Sequence, residues 1–316
     1  MAEFSLSRVG SKALCIFSFI FALFLPISFL PRLAEAKVEP IQEVFEPAAP
    51  EPADSFLKVA VIQWAPTQMT PVGVSPEESA AAMSRNRADL AAMIRQAAQN
   101  GAKWVITPEL SFVGYPDIPE LPPEEDEFRN RADIAPYVEV IPGVSTAYFG
   151  ELARELGIIL QLGMAERDPV TDLYHNAVVI FSEDGSILAK YRKMNLYKTE
   201  SEIFAPGDQA VKYWTPAGWA APMICADIYS ERPGNDLGDP PLSVIAVSAS
   251  WAQWNTGMEH FQDAARFFET FILASNHRYF PDAGVINPDG SLQSHIRQTR
   301  IGIAYGYLPK AHSGLR

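Results

Sequence analysis

Cysteine is almost absent from this chain: two residues in 316, Cys15 and Cys225. Cys15 lies inside an apolar run, so the remainder holds a single thiol and has no internal disulfide available to it. A fold without bridges must rest on a large core, which this length and 48% hydrophobic residues can supply. The same apolar fraction excludes intrinsic disorder. Positive charge is also short, with 25 Lys plus Arg against 38 Asp plus Glu and a formal net charge of −13. No basic cluster is present, which argues against a nucleic-acid partner and against attraction to an anionic membrane surface. Histidine is scarce as well. His175, His260, His277, His295 and His312 show no metal-ligand spacing, and Cys225 has no second thiol with which to share zinc. The G-x-S-x-G elbow, the Walker A loop and the dinucleotide fingerprint are all missing. Neither metal nor cofactor is expected.

What is present begins with a targeting segment. Arg8 and Lys12 precede an apolar stretch from Ala13 to Leu30, and Ala34-Glu35-Ala36 follows with small residues where signal peptidase needs them. This is the secretory pattern, and it predicts residues 1–36 as a signal peptide, with export after cleavage near Ala36. The alternative is an uncleaved membrane anchor, since the run approaches bilayer-spanning length. Residues 37–55, rich in Pro and Glu and without an apolar period, read as an extended tether.

The globular part, residues 56–316, alternates strands and helices without a change of composition. Leu57–Gln63 reads as a strand. Ser75 is an N-cap, with Pro76 at the first helical position and Glu78 able to close a capping box, and the helix stops at Asn100-Gly101. Lys103–Thr107, Ile158–Met164, Ala177–Phe181, Ile187–Tyr191, Ala220–Ile224, Val244–Val247 and Ile301–Tyr305 read as further strands. Helices are expected over Thr146–Leu156 and Glu259–Glu269, and hairpin turns at Glu183-Asp184-Gly185 and Asn287-Pro288-Asp289-Gly290. The pattern implies one α/β domain with parallel and antiparallel pairs.

Three residues stand just past predicted strand ends, where open α/β sheets gather ligands: Glu109, Lys193 and Cys225. A cysteine nucleophile must lose its proton, and a free thiol near pKa 8.5 is mostly protonated at neutral pH. A carboxylate can take that proton, and an ammonium can stabilise the anion formed on a carbonyl. Singly, each residue also fits a blander role, as a turn carboxylate, a solvated cation or a core thiol. His175 is an alternative base for Cys225. With Lys193 pulling toward thiolate and Glu109 opposing it, a resting thiol with a poised base is the expected ground state.

The order and flanks of the three resemble the nitrilase superfamily, the carbon–nitrogen hydrolases. The segments that carry the resemblance are VAVIQWAP, GAKWVITPELSFVGYP, YHNAVVI, AKYRKMNLY, PGD, MICADIY and RFFETFILASN, spread from Leu57 to Asp289. The resemblance implies a four-layer α-β-β-α sandwich that pairs through helices into homodimers or larger homo-oligomers. It also implies Glu109 as general base, Lys193 as oxyanion stabiliser, Cys225 as nucleophile and the Ala226 N–H as the second oxyanion donor. A second glutamate before Pro206-Gly207-Asp208 is implied too; Glu202 stands where amidase-like members place it and is preferred, while Glu200 suits true nitrilases. Cys225-Ala226-Asp227 departs from the Cys-Trp-Glu of true nitrilases and resembles the amide-cleaving branch. Ser230–Pro241 departs from the family's usual sequence after the nucleophile, and Trp251 and Trp254 fall close to where family substrates bind. The expected function is hydrolysis of a small amide through a cysteine thioester. Nitrile hydrolysis, acyl transfer to an amine, and a non-catalytic binding protein are the alternatives.

Overall fold

Consecutive apolar residues along the strands leave no polar face for solvent, and both faces of each central strand are accordingly covered. The computed structural model describes residues 43–68, 70–114, 116, 128–251, 257–278, 282–298 and 300–311, which belong to one unit, Pro40–Arg316. One sheet contains β1 (Glu43–Phe45), β2 (Phe56–Gln63), β3 (Trp104–Ile106), β4 (Ile159–Arg167), β5 (Tyr174–Phe181), β6 (Ile187–Arg192) and β13 (Gly302–Pro309), in the order β1-β13-β2-β3-β4-β5-β6. The other contains β7 (Tyr213–Thr215), β8 (Gly218–Ile224), β9 (Val244–Ser248), β10 (Phe271–Ser275), β11 (Ala283–Ile286) and β12 (Leu292–Ile296), in the order β12-β11-β10-β9-β8-β7. The centre of each is parallel, β2 to β3 to β4 and β8 to β9 to β10, with antiparallel strands outside. Sequence order therefore places the carboxyl ends of β3, β8 and β9 on one side of the molecule.

On β2, Leu57, Val59 and Val61 face the second sheet, joining Tyr213, Ala246, Leu273 and Val285 in the layer between the sheets. Ala60 and Ile62 face outward and are covered by helices Pro76–Gln99 and Val144–Leu156 through Leu90, Ile94, Phe149 and Leu152. Each such side chain taken fully out of water is worth about 1.5–3 kcal/mol before entropy is counted. Helix Gly257–Phe268 lies against β10 and β11 with Phe261 and Ala265 buried. The layers are α-β-β-α. The capping box closes as read, Ser75 Oγ accepting the Glu78 N–H and Glu78 accepting the Ser75 N–H.

The tether reading fails over part of residues 37–55. Glu43–Phe45 adds β1 in parallel to Gly302–Ala304 of β13. Glu46 then accepts from Lys58 Nζ and from the Tyr307 hydroxyl, each at 2.6 Å, and the Arg300 guanidinium lies over the Phe45 ring. A short segment needs only a partner edge and a few side-chain contacts to be held, and neither leaves a periodic signal in composition. Residues 1–36, with the signal-peptide reading, lie outside the described residues, as does Trp254. No helix among the described residues is long and apolar enough to cross a membrane.

Candidate active site

Polar side chains cross between the sheets beside the ends of β3 and β9 and fix that end of the sandwich. Gln161 of β4 donates to the Ala246 carbonyl (3.1 Å) and to Ser248 Oγ (3.0 Å), and Ser248 Oγ donates to the Thr107 carbonyl (2.7 Å). Onto this frame the turn after β3 carries Glu109. The turn passes directly over Gly163 of β4, where any Cβ would collide with the Pro108 carbonyl and crowd Leu110 N and Glu109 Cα. Ser111 N–H donates to the Gly163 carbonyl (3.0 Å) and Thr107 Oγ1 accepts the Gly163 N–H (3.2 Å), so the turn is tied down on both sides. His277 makes a 2.6 Å hydrogen bond through Nε2 to the Glu109 carbonyl. Burial pushes its imidazole down to about 4, so at neutral pH the ring is uncharged and Nε2 carries the donated proton.

Lys193 follows β6. Its N–H donates to the Asn176 carbonyl on β5 (2.8 Å), and its own carbonyl accepts the Gly207 N–H (2.7 Å). Gly207 of the Pro-Gly-Asp segment abuts the Arg192 backbone so closely that a Cβ could not be accommodated. Cys225 follows β8 as the first residue of a 3-10 turn, Cys225–Tyr229, with φ +43°. A non-glycine residue held in that region costs about 1–3 kcal/mol, which the surroundings must supply. Asp227 supplies it. Its carboxylate accepts four donors, from the Ile224 N–H, the Tyr191 hydroxyl, the Asn195 N–H and Asn195 Nδ2, at 2.7–3.1 Å. Ala226 follows Cys225 inside the same turn.

Three strand ends thus bring Glu109, Lys193 and Cys225 together. Lys193 Nζ lies 2.7 Å from Glu109 Oε1 and 2.7 Å from Glu200 Oε2, with Lys193 only 2% exposed and Glu109 4%. Asn176 Nδ2 donates to Glu109 Oε1 (2.6 Å) and Glu200 Oε1 (2.9 Å), and the Ser250 N–H donates to Glu109 Oε2 (2.8 Å). Burial alone would lower the Lys193 ammonium, but Glu109 and then Glu200 outweigh it and hold its pKa well above the ordinary value. Burial, and then the negative charge of Glu109, push the Cys225 thiol far up, with Lys193 offsetting only part. Cys225 therefore rests as a thiol. Among the described residues no group of three or more His, Cys, Asp or Glu side chains is arranged to hold a metal ion.

The preference for Glu202 does not survive. Glu202 is exposed, whereas Glu200 reaches Lys193, Asn176 and the Tyr197 N–H (2.6 Å). Burial raises the Glu200 carboxyl, Lys193 pulls it down and Glu109 raises it again, leaving it above the ordinary range. His175 is not a base for Cys225: its Nδ1 pairs with the Ala205 carbonyl (2.8 Å). Trp251 packs among Tyr229, His260 and Phe261, with ring centroids 5.1–5.6 Å apart, one residue beyond the amide that holds Glu109. In the divergent segment after the nucleophile, the Arg232 carbonyl accepts from Asn195, a residue that also binds Asp227. That segment buttresses the cysteine turn. Asn176, Ser250, His277 and Asp227 had no assigned role in the sequence; each contributes through hydrogen-bond geometry that no spacing rule reports.

The carbon–nitrogen hydrolase family model matches residues 58–312, nearly the whole described region. The chain belongs to the carbon–nitrogen hydrolase family. It is 28% identical over 197 residues to a nitrilase of Pyrococcus abyssi, covering 62% of this chain and 65% of that one. It is 34% identical over 146 residues to the omega-amidase NIT2 of Homo sapiens (43% and 47%), and 26% over 262 residues to the pantetheinase of Bos taurus (72% and 49%). The chain spans about half to two thirds of the length of these curated relatives. Among solved structures, Saccharomyces cerevisiae Nit3 matches with a TM-score of 0.66 at 20% identity, over 81% of this chain and 90% of that one. An amidase from Nesterenkonia sp. matches with a TM-score of 0.64 at 18% identity, over 80% and 90%. At such identities the likeness establishes the carbon–nitrogen hydrolase fold, whose four layers are those described above.

Proposed function

We propose that this carbon–nitrogen hydrolase cleaves the non-peptide C–N bond of a small amide through a thioester on Cys225. The observation that carries the reading is the buried cluster in which Glu109 and Lys193 meet at 2.7 Å beside a raised, neutral thiol. Glu109 takes the thiol proton as sulfur attacks the carbonyl carbon. Lys193 and the Ala226 N–H hold the oxyanion, the contribution that mutagenesis of such donors values at about 2.7–4 kcal/mol. Glu109 then passes its proton to the departing amine, which leaves the thioester. Water enters, gives a proton to Glu109 and attacks the thioester; the acid departs and Glu109 returns the proton to sulfur. Glu200 shares Lys193 and keeps the ammonium in line with the carbonyl oxygen. The relatives named omega-amidase, and the amidase of like fold, support an amide over other substrates.

A second reading, nitrile hydrolysis, is favoured by the placement of Glu200, which suits the spacing of true nitrilases, and by the relative named nitrilase. A panel of short amides and nitriles, each with and without hydroxylamine, separates hydrolysis of either class from acyl transfer. Cys225→Ala is expected to abolish turnover and the trapped acyl adduct seen by mass spectrometry; full turnover in that variant would end the proposal.

Export and oligomerisation are proposed alongside. The leader pattern supports a mature protein beginning near Lys37, to be checked by N-terminal sequencing of native material. Pairing of copies through helices is supported by exposed Val144 and Tyr148 on one helix and Phe267 on another, and light scattering reads it directly.

A further inference from the structure

Four side chains close a ring around the candidate base. Lys193 Nζ bridges Glu109 Oε1 and Glu200 Oε2, and Asn176 Nδ2 bridges Glu109 Oε1 and Glu200 Oε1. The ring contains two carboxylates and one cation. Two carboxylates that share a buried site ordinarily keep a proton between them, because the second ionisation must be made against the first. A carboxylate that keeps its proton cannot serve as the base for a thiol. One lysine cannot satisfy both, since each carboxylate has several lone pairs and its three N–H donors point in fixed directions.

Asn176 meets the deficit. It lies on β5 with 1% exposure, its backbone carbonyl holding the Lys193 N–H, so that one residue touches every member of the ring. The carboxamide orientation is dictated by its neighbours: Nδ2 has two protons and finds one oxygen of each glutamate, whereas a flipped amide would set Oδ1 against both. Its Oδ1 has no protein partner among the described residues, which is consistent with an orientation chosen for the carboxylates. We propose that Asn176 is a positioning residue that lets two carboxylates share one lysine, by supplying the donors the lysine lacks.

This rests on Glu109 being the base, as argued above. The other groups facing Glu109 are Cys225, the Ser250 N–H and, through its backbone carbonyl, His277; Glu200 also faces the Tyr197 N–H. None of them offers two donors to two carboxylates.

The test is the pH dependence of Cys225 alkylation by iodoacetamide, followed on the Cys225 peptide by mass spectrometry in the full-length protein. Wild type is expected to be alkylated more slowly as pH falls, along one acid limb. In Asn176→Ala that limb moves up by about one pH unit, making alkylation about tenfold slower at a fixed pH on the limb. Adding Glu200→Gln to Asn176→Ala removes the like charge and returns the limb toward wild type, which a merely structural defect would not do. Should Asn176→Ala fail to fold, Asn176→Ser, which keeps one donor, is expected to move the limb by a smaller step in the same direction. A limb unmoved in a folded Asn176 variant, or unrescued in the double variant, overturns the proposal. A wild type without any acid limb overturns the base assignment itself, and this proposal with it.

Discussion

Arg192 and Lys193 are neighbours in sequence and belong to opposite electrostatic regimes. Arg192 joins Lys190 in gripping Glu166, which is 1% exposed, with contacts of 2.5–2.7 Å, and Arg192 also holds Asp168 at 2.7 Å. Two cations serve two carboxylates there. Burial raises the Glu166 carboxyl, but the Arg192 and Lys190 hydrogen bonds and charges together outweigh it, and its pKa ends below the ordinary value. One residue on, Lys193 alone serves Glu109 and Glu200 beside a thiol, and both Glu200 and Cys225 are pushed up. The same strands thus carry a balanced cluster that holds structure and an unbalanced one that holds a proton in readiness. The difference lies in cation count and in depth, since Lys190 and Arg192 reach solvent while Lys193 is buried.

Substitutions that break the unbalanced cluster should act most strongly. Lys193→Ala leaves two buried carboxylates without their cation. Turnover should fall by roughly three orders of magnitude, and stability by about 3–5 kcal/mol in urea unfolding. Retention of wild-type stability would mean that the cluster is solvated. Breaking the balanced cluster separates the two properties: Glu166→Gln should cost about 2 kcal/mol, the lower end because Lys190 and Arg192 reach solvent, with Cys225 alkylation within about twofold of wild type.

That loss carries a sign in pH. Glu166 titrates lower folded than unfolded, so its contribution is full above the ordinary carboxylate value of 4.5 and disappears as pH falls through the folded value. The wild-type and Glu166→Gln unfolding midpoints should therefore converge in acid, and a constant gap would exclude the ion pairs as its source.

Relieving the imbalance sharpens the contrast. Glu200→Gln leaves one carboxylate per lysine, so stability should hold or rise by up to about 1 kcal/mol while kcat falls about ten- to hundredfold. A clear loss of stability would show that Glu200 is structural. The smallest effect belongs to Glu202→Gln, on an exposed side chain, with kcat/KM within about twofold of wild type.

The strands, their mixed parallel and antiparallel pairing and the positions of Glu109, Lys193 and Cys225 were legible because each depends on local pattern: an apolar run, its end, and one reactive side chain. The four layers followed only from the family resemblance. Glu200 against Glu202 was not legible. The two lie on a single turn of helix, Glu200–Ile203, where residues two apart point about 200° away from each other. Only one can face Lys193, and which one depends on how that turn docks, a tertiary fact. Asn176 stands within a strand motif without a visible role, because a carboxamide announces no chemistry until its two N–H groups are seen between two carboxylates. The β1 segment was missed because Glu43–Phe45 gains its structure from the edge of β13.

Gly163 turns the lack of a side chain into a requirement for the placement of Glu109. An alanine there would add one methyl group to a buried strand, with no charge and no lost donor, and by residue chemistry would count as conservative. The methyl has no room except where the Pro108–Leu110 backbone now lies, and Glu109 would move with that backbone. Glu109 is thus located by a clearance, much as a stop locates a moving part without being fastened to it. A survey scored by folding would place position 163 with the core, and one scored by rate would place it with the reacting groups. Maps of tolerance drawn around this cluster should reach a residue that has nothing with which to react.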